Sequence, residues 1–233
     1  MKRRALLAAV AGAILPLAAP LAVCAQDVPG TPAPDKGVFR ILLEGAEVGT
    51  EQFETEASSG AWIVRSETVI RLPGSAETRS TGQLRLAADG TPVRYDWTAQ
   101  AEKKTSGSVE FQKETAKTSI DLGGKEPYQQ DFVFTSPRVA IMDNNLHHVW
   151  GVVLTALYNW SAKGQQAVPV LIPQDMTPGS ITMESLGSKT VESSTFDALR
   201  VSTADLEVLF YFDSKKRLMR LEVPASNVVV VRR

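Results

Sequence analysis

The chain is poor in the residues that most often carry chemistry. Among 233 residues there is one cysteine, Cys24, and there are two histidines, adjacent at His147 and His148. A lone thiol excludes a disulfide framework and every zinc site built on paired cysteines. No Gly-x-Ser-x-Gly elbow, phosphate loop, dinucleotide fingerprint or His-Glu-x-x-His pair occurs, so the usual hydrolase, nucleotide and zinc-peptidase signatures are missing. Cations do not outnumber anions, 25 against 26, and the arginine pair Arg232-Arg233 is a short solvated end. A nucleic-acid partner is therefore not expected.

Composition is otherwise that of a globular chain, 43% hydrophobic and 22% charged, long enough for one substantial domain. The first 25 residues stand apart. Lys2, Arg3 and Arg4 precede an apolar run from Ala5 to Val23, broken by Pro16 and Pro20, and Val23-Cys24-Ala25 offers small residues for cleavage. This pattern reads as a secretory signal and not a membrane span, so the expected location is periplasmic or secreted. The alternative is a lipoprotein signal, with Leu21-Ala22-Val23 leading to a lipidated Cys24; Val23 stands where Gly, Ala or Ser is preferred. Cleavage after Ala25 removes the thiol and three cations, leaving 22 cations against 26 anions, a net charge of −4. No transmembrane span is expected in the mature chain. Gln26 to Lys36, with Pro29, Gly30, Pro32 and Pro34, reads as a disordered leader. A single β-rich domain is expected over 37–233.

Strand signals fill most of that domain. Phe39, Ile41 and Leu43 alternate with Arg40, Leu42 and Glu44, and Gly45-Ala46 turns the chain toward Phe53. The clearest hairpin pairs Leu84 and Leu86 with Val93, Tyr95, Trp97 and Ala99 across an Asp89-Gly90 turn, predicting antiparallel strands with one wet face. Leu206, Val208, Phe210 and Phe212 alternate in the same way, and Asn227 to Val231 forms a last apolar strand.

One stretch breaks the pattern. From Met142 to Lys163 no charge occurs between Asp143 and Lys163, and Leu146, Trp150, Val153, Leu154 and Leu157 recur at helical spacing. Val149, Val152, Ala156 and Trp160 make the opposite face apolar too, so the helix is expected to be buried on all sides. Asp143 is the expected N-cap, and Lys163 with Gly164 the expected stop, giving a helix over 143–163. The predicted architecture is mainly β: a strongly curved antiparallel sheet or half-barrel of about ten strands wrapping one central apolar helix.

Asp143-Asn144-Asn145 opening the helix, His147-His148 within it and Val-Leu-Ile-Pro-Gln at Val170 to Gln174 resemble an uncharacterised group of exported bacterial all-β domains. That group also shares a hairpin like Glu44-Gly45-Ala46-Glu47-Val48-Gly49 and one from Leu86 to Tyr95 with the turn Gly90-Thr91-Pro92. The resemblance implies architecture and no chemistry. The wrapped helix also looks like the half-barrel of periplasmic lipoprotein carriers, which implies a site for acyl chains.

Three functional expectations follow. The first is a non-catalytic exported protein that binds or shields a hydrophobic molecule such as a lipid or acyl chain. Its candidate ligand-binding residues are His147, His148, Trp150, Leu154, Tyr158, Trp97 and Phe210. The second is a structural or interaction module of the bacterial envelope whose sheet edge engages a protein partner. The third is a hydrolytic or metal-assisted enzyme using His147 with Asp143, four residues apart on one helix face. Adjacent histidines point about 100° apart and cannot converge on one atom, and zinc would need a strand carboxylate such as Asp175. No catalytic residue, metal or cofactor is assigned. Gly151, in mid-helix, marks either a close approach to a strand, the favoured reading, or an opening for a ligand.

Overall fold

A computed structural model describes residues 31–233; the signal at 1–25 and the leader as far as Gly30 lie outside the described residues. The elements in chain order are β1 (Asp35–Leu43), β2 (Ala46–Ser58), β3 (Ala61–Ile70), β4 (Thr78–Ala87), β5 (Pro92–Gln100), β6 (Lys104–Gln112), β7 (Thr115–Asp121) and β8 (Tyr128–Val133). After these come β9 (Ala140–Ile141), α1 (His147–Leu157), β10 (Gln165–Ile172), β11 (Thr177–Val191), β12 (Ser194–Ser202), β13 (Glu207–Phe212), β14 (Leu218–Val223) and β15 (Val228–Arg232). All fifteen strands form one sheet in the order β8-β7-β6-β5-β4-β3-β2-β1-β15-β14-β13-β12-β11-β10-β9. Two meanders are thus joined where the first strand meets the last. There the bidentate pair of Asp35 and Arg232 (2.6 and 2.9 Å) ties β1 to β15, with both side chains largely buried.

The mainly β class and the single helix stand as expected, and the strand number is corrected from about ten to fifteen. The shortfall has a physical cause. On β7 the inward residues are Ala116, Thr118 and Ile120, so a buried strand carries almost no apolar alternation. Asp35 and Lys36, expected in the leader, pair with Thr55 and Glu54 as the start of β1. The hairpin at Asp89-Gly90 forms, but a bulge at Arg85/Leu86 places Pro92 opposite Leu86, and Val93 is left exposed.

The helix is shorter than its apolar stretch, His147–Leu157 instead of 143–163. Tyr158 leaves the helix in extended conformation (φ −74°, ψ 127°), and its hydroxyl accepts the Ser185 N–H at 3.0 Å. Asn159 is then clamped by Gln166, whose side chain accepts the Asn159 N–H and donates to its carbonyl, both at 2.9 Å. The stop signal at Lys163 and Gly164 is pre-empted by these tertiary contacts six residues earlier. Within the helix, Gly151 faces β14: a methyl group there would stand 2.9 Å from Leu218 Cβ and 3.0 Å from Leu218 Cδ2.

The Gly151→Ala variant should therefore lose about 1 kcal/mol, since overpacking of roughly 1–3 kcal/mol exceeds the ~1 kcal/mol gained in helix propensity. A melting temperature about 2–4 °C lower is expected by circular dichroism; a rise would show that α1 does not lie this close to β14.

Candidate functional site

The helix carries no acidic residue in its first turn and no basic residue in its last. Both ends are served from outside. The Glu51 carboxylate of β2, fully buried, accepts the backbone N–H of His147 (2.9 Å) and of His148 (2.8 Å) and the His147 Nδ1–H (2.9 Å). An anion held at the orphaned amides of a helix N-terminus satisfies those donors and favours the positive end of the dipole. At the other end, Arg138 donates through Nη2 to the carbonyl of Ala156 at 2.7 Å. Glu51 was legible in one respect: it shares strand parity with the buried Phe53 and Thr55, which places a carboxylate on the apolar face.

Asp143 is not the N-cap. Its Oδ2 accepts the Tyr95 hydroxyl at 2.6 Å and the Gln174 amide, and its Oδ1 accepts the Asn145 N–H at 2.8 Å in an Asx turn. Its carbonyl receives the Trp150 indole N–H at 2.7 Å. Asn144 reaches Asp175 at 3.2 Å. Burial raises the Asp143 carboxyl above its ordinary value, opposed by those hydrogen bonds, and burial with the neighbouring carboxylate drives the Tyr95 phenol well above its own. The expected pairing of His147 with Asp143 is thus replaced by two separate pairs, His147 with Glu51 and Asp143 with Tyr95. Glu51 orients the His147 ring by holding Nδ1; no hydroxyl or thiol is hydrogen-bonded to Nε2 among the described residues. Nor does any group of three His, Cys, Asp or Glu side chains among them have metal-ligand placement.

His148 is enclosed. Its Nε2 meets Thr55 Oγ1 at 2.8 Å and its ring stacks on Phe53 with centroids 4.0 Å apart. Burial lowers its pKa to about 4, so the imidazole is neutral around pH 7. Of the other expected ligand residues, Trp150 meets His147 at 5.5 Å and Phe210 at 6.4 Å, centroid to centroid. Leu154, Tyr158 and Phe210 are core residues with essentially no exposure. Trp97 belongs to the same buried cluster, its indole covers Gly107 of β6, and with Phe53, Ser66 and Gly82 it lines an open depression of about 760 Å³. A cavity of about 70 Å³ opens between α1, the segment from Thr31 to Ala33 and the turn before β14. That is far below the roughly 300–1,000 Å³ of a typical ligand pocket.

The other candidate surface is the sheet edge. β9 has two residues, both buried, which leaves β8 as the long free margin among the described residues. Phe134 N–H donates to Glu114 O (2.8 Å), so in the β7–β8 register the hydrogen-bonded pairs are Ala116–Phe132, Thr118–Gln130 and Ile120–Tyr128. Bonding alternates along an antiparallel pair. The N–H and C=O groups of Gln129, Asp131 and Val133 therefore point away from the sheet. No proline, lysine or bulge guards this strand, although such devices are the usual protection of an edge. Leu122, Tyr128 and Val133, the three most exposed large hydrophobic residues described, all sit in this hairpin at 67%, 59% and 80% exposure.

The backbone as a whole is similar to a crystal structure of a β-barrel-like protein of Domain of Unknown Function DUF1849 from Brucella abortus. The two share 11% identity at a TM-score of 0.57, over 87% of this chain and 96% of that one. A DUF1089 family protein from Pseudomonas aeruginosa is similar more loosely, at 10% identity and a TM-score of 0.45 over 78% and 91%. No sequence family and no curated protein matches the chain. The likeness to the Brucella structure shows a β-barrel-like fold and nothing about activity. No helix among the described residues is long and apolar enough to cross a membrane.

Two outcomes test the site. Glu51→Ala should cost about 3 kcal/mol, the order expected when buried donors lose a charged partner, lowering the melting temperature by about 6–12 °C. A change under 1 kcal/mol would mean that Glu51 does not hold the helix. The folded pKa of His148 lies below its unfolded value of 6.5, so the unfolded state binds the proton more readily. Its contribution is complete above pH 6.5 and shrinks as pH falls toward 4, by about 2 kcal/mol at pH 5. The raised Asp143 carboxyl works in the opposite sense as it protonates. Urea midpoints between pH 7.5 and 5 should fall in the native chain and fall less in His148→Phe. Equal slopes would contradict the assignment.

Proposed function

We propose that this chain is a non-catalytic, exported envelope domain that captures an extended polypeptide segment along the free edge of β8. The observation that carries the reading is the outward-facing backbone of Gln129, Asp131 and Val133 on a strand without proline, lysine or bulge, with Leu122 and Tyr128 exposed beside it. Strand addition draws affinity from main-chain hydrogen bonds and selectivity from alternate side chains. The signal pattern at Met1 to Ala25 supports export to the periplasm or outside the cell.

The hydrophobic-guest reading, with its likeness to lipoprotein carriers, ranks second. It is favoured by the helix, apolar on every face within the curved sheet. A guest directly beside α1 would need the helix to shift, because the space there is about 70 Å³; an open depression of about 760 Å³ lined by Phe53 and Trp97 is the roomier place for one. Mass spectrometry of solvent extracts from purified protein would show a stoichiometric lipid in that case.

The edge reading predicts that displayed peptides selected on the folded protein bind at least tenfold more weakly to Gln129→Pro, which removes an outward N–H and spares the β7 ladder. Unchanged binding to that variant would place the peptide surface elsewhere.

A further inference from the structure

Which segment suits this edge is also written in the strand. Building on the edge-pairing reading, we infer that β8 accepts an antiparallel strand of a different chain. That strand carries an apolar residue opposite Val133 and, two positions later, a lysine or arginine opposite Asp131.

Register decides which residues stand opposite one another. Since Gln129, Asp131 and Val133 hold the outward hydrogen-bonding groups, the residues of an added strand that exchange both bonds with them stand directly opposite. Their side chains emerge on the same face as those three. Antiparallel addition also continues the pairing of every neighbouring strand from β1 to β8.

Chemistry follows from register. Val133 is 80% exposed, and a β-branched or aromatic neighbour opposite it gains cross-strand contact. Asp131 is exposed and has no ion-pair partner among the described residues, although Lys117 lies across from it on β7. A cation on the added strand would flank the carboxylate from the side opposite Lys117. The residue between these two positions falls opposite Phe132, which is 7% exposed at the margin of the core. An apolar side chain there extends that core. The favoured pattern is apolar, apolar, then Lys or Arg.

The same strand disfavours a second copy of itself. The self-pairing that engages all three outward residues sets Gln129 against Val133 and Asp131 against Asp131. Like charges directly opposed are destabilising. Sliding the copies by two residues removes one of the three pairs. The edge is open to a foreign strand and partly closed to its own kind.

The test uses the full mature chain and two fluorescein-labelled peptides, Thr-Val-Val-Lys-Thr-Thr and its Glu-for-Lys counterpart, read by anisotropy. The native protein should bind the Lys peptide about tenfold more tightly, the span between an attractive and a repulsive cross-strand pair. Asp131→Asn should abolish the preference and Asp131→Lys should invert it. Equal binding of both peptides, weakened alike by Gln129→Pro, overturns the partner chemistry and leaves the edge reading standing. No binding of either peptide, or binding indifferent to Gln129→Pro, overturns the edge reading itself. Sedimentation velocity covers the remaining occupant: a monomer is expected, and a dimer dispersed by Gln129→Pro overturns the preference for a different chain.

Discussion

The Glu51 carboxylate, buried on the inner face of β2, is the interaction on which the rest of the structure depends. The helix it serves has no charge of its own, so neither pole of its dipole is satisfied locally. Glu51 supplies the anion at one end and Arg138 the cation at the other. A helix of eleven residues is marginal alone in water. Here its apolar faces, its two borrowed charges and the close approach of Gly151 to Leu218 all come from tertiary structure. The helix therefore forms only where the sheet already curves around it, and its position is set by the sheet.

That dependence shapes what the interior can do. Around the helix start, Glu51, His147, His148, Thr55, Tyr95, Asp143 and Gln174 use their polar atoms mainly on one another and on backbone amides. A polar network engaged in this way specifies one arrangement of a core. His148 is kept neutral by its surroundings, and His147 is oriented without a nucleophile beside it. The chemistry that two histidines suggest is spent on seating the plug. Inside, His148 Nδ1 and Gln174 Oε1 are left without a partner among the described residues; outside, along β8, backbone groups and apolar side chains meet solvent together.

Much of the architecture was legible because period-two alternation survives wherever the inward residues are large, as at Leu84, Leu86, Tyr95 and Trp97. It failed where burial falls on small or polar residues, as at Ala116 and Thr118 of β7. The helix was legible as an apolar stretch, but its ends were not. Asp143 has the residue type of an N-cap, yet Tyr95 and Gln174, distant in sequence, claim its oxygens. The true cap, Glu51, lies 96 residues before His147, beyond any local rule. The aromatic ligand candidates Trp97, Tyr158 and Phe210 are buried and Trp150 is half-buried, but a sequence reports no volume, and the space left beside the helix is small. The edge at β8 was anticipated only in general terms, since strand order and outward bonding parity exist only in the folded sheet.

The helix as a fixed plug and β8 as the working surface are one claim seen from two sides. Residue-resolved amide hydrogen exchange, with and without a bound peptide, tests it most directly. In the free protein the amides of Gln130 and Phe132 should be protected, and those of Gln129, Asp131 and Val133 should exchange freely. On binding, protection should appear at those three amides and leave His147 and His148 unchanged. Protection that changes at the helix start while the β8 amides stay open would contradict the claim and point to a guest beneath the helix.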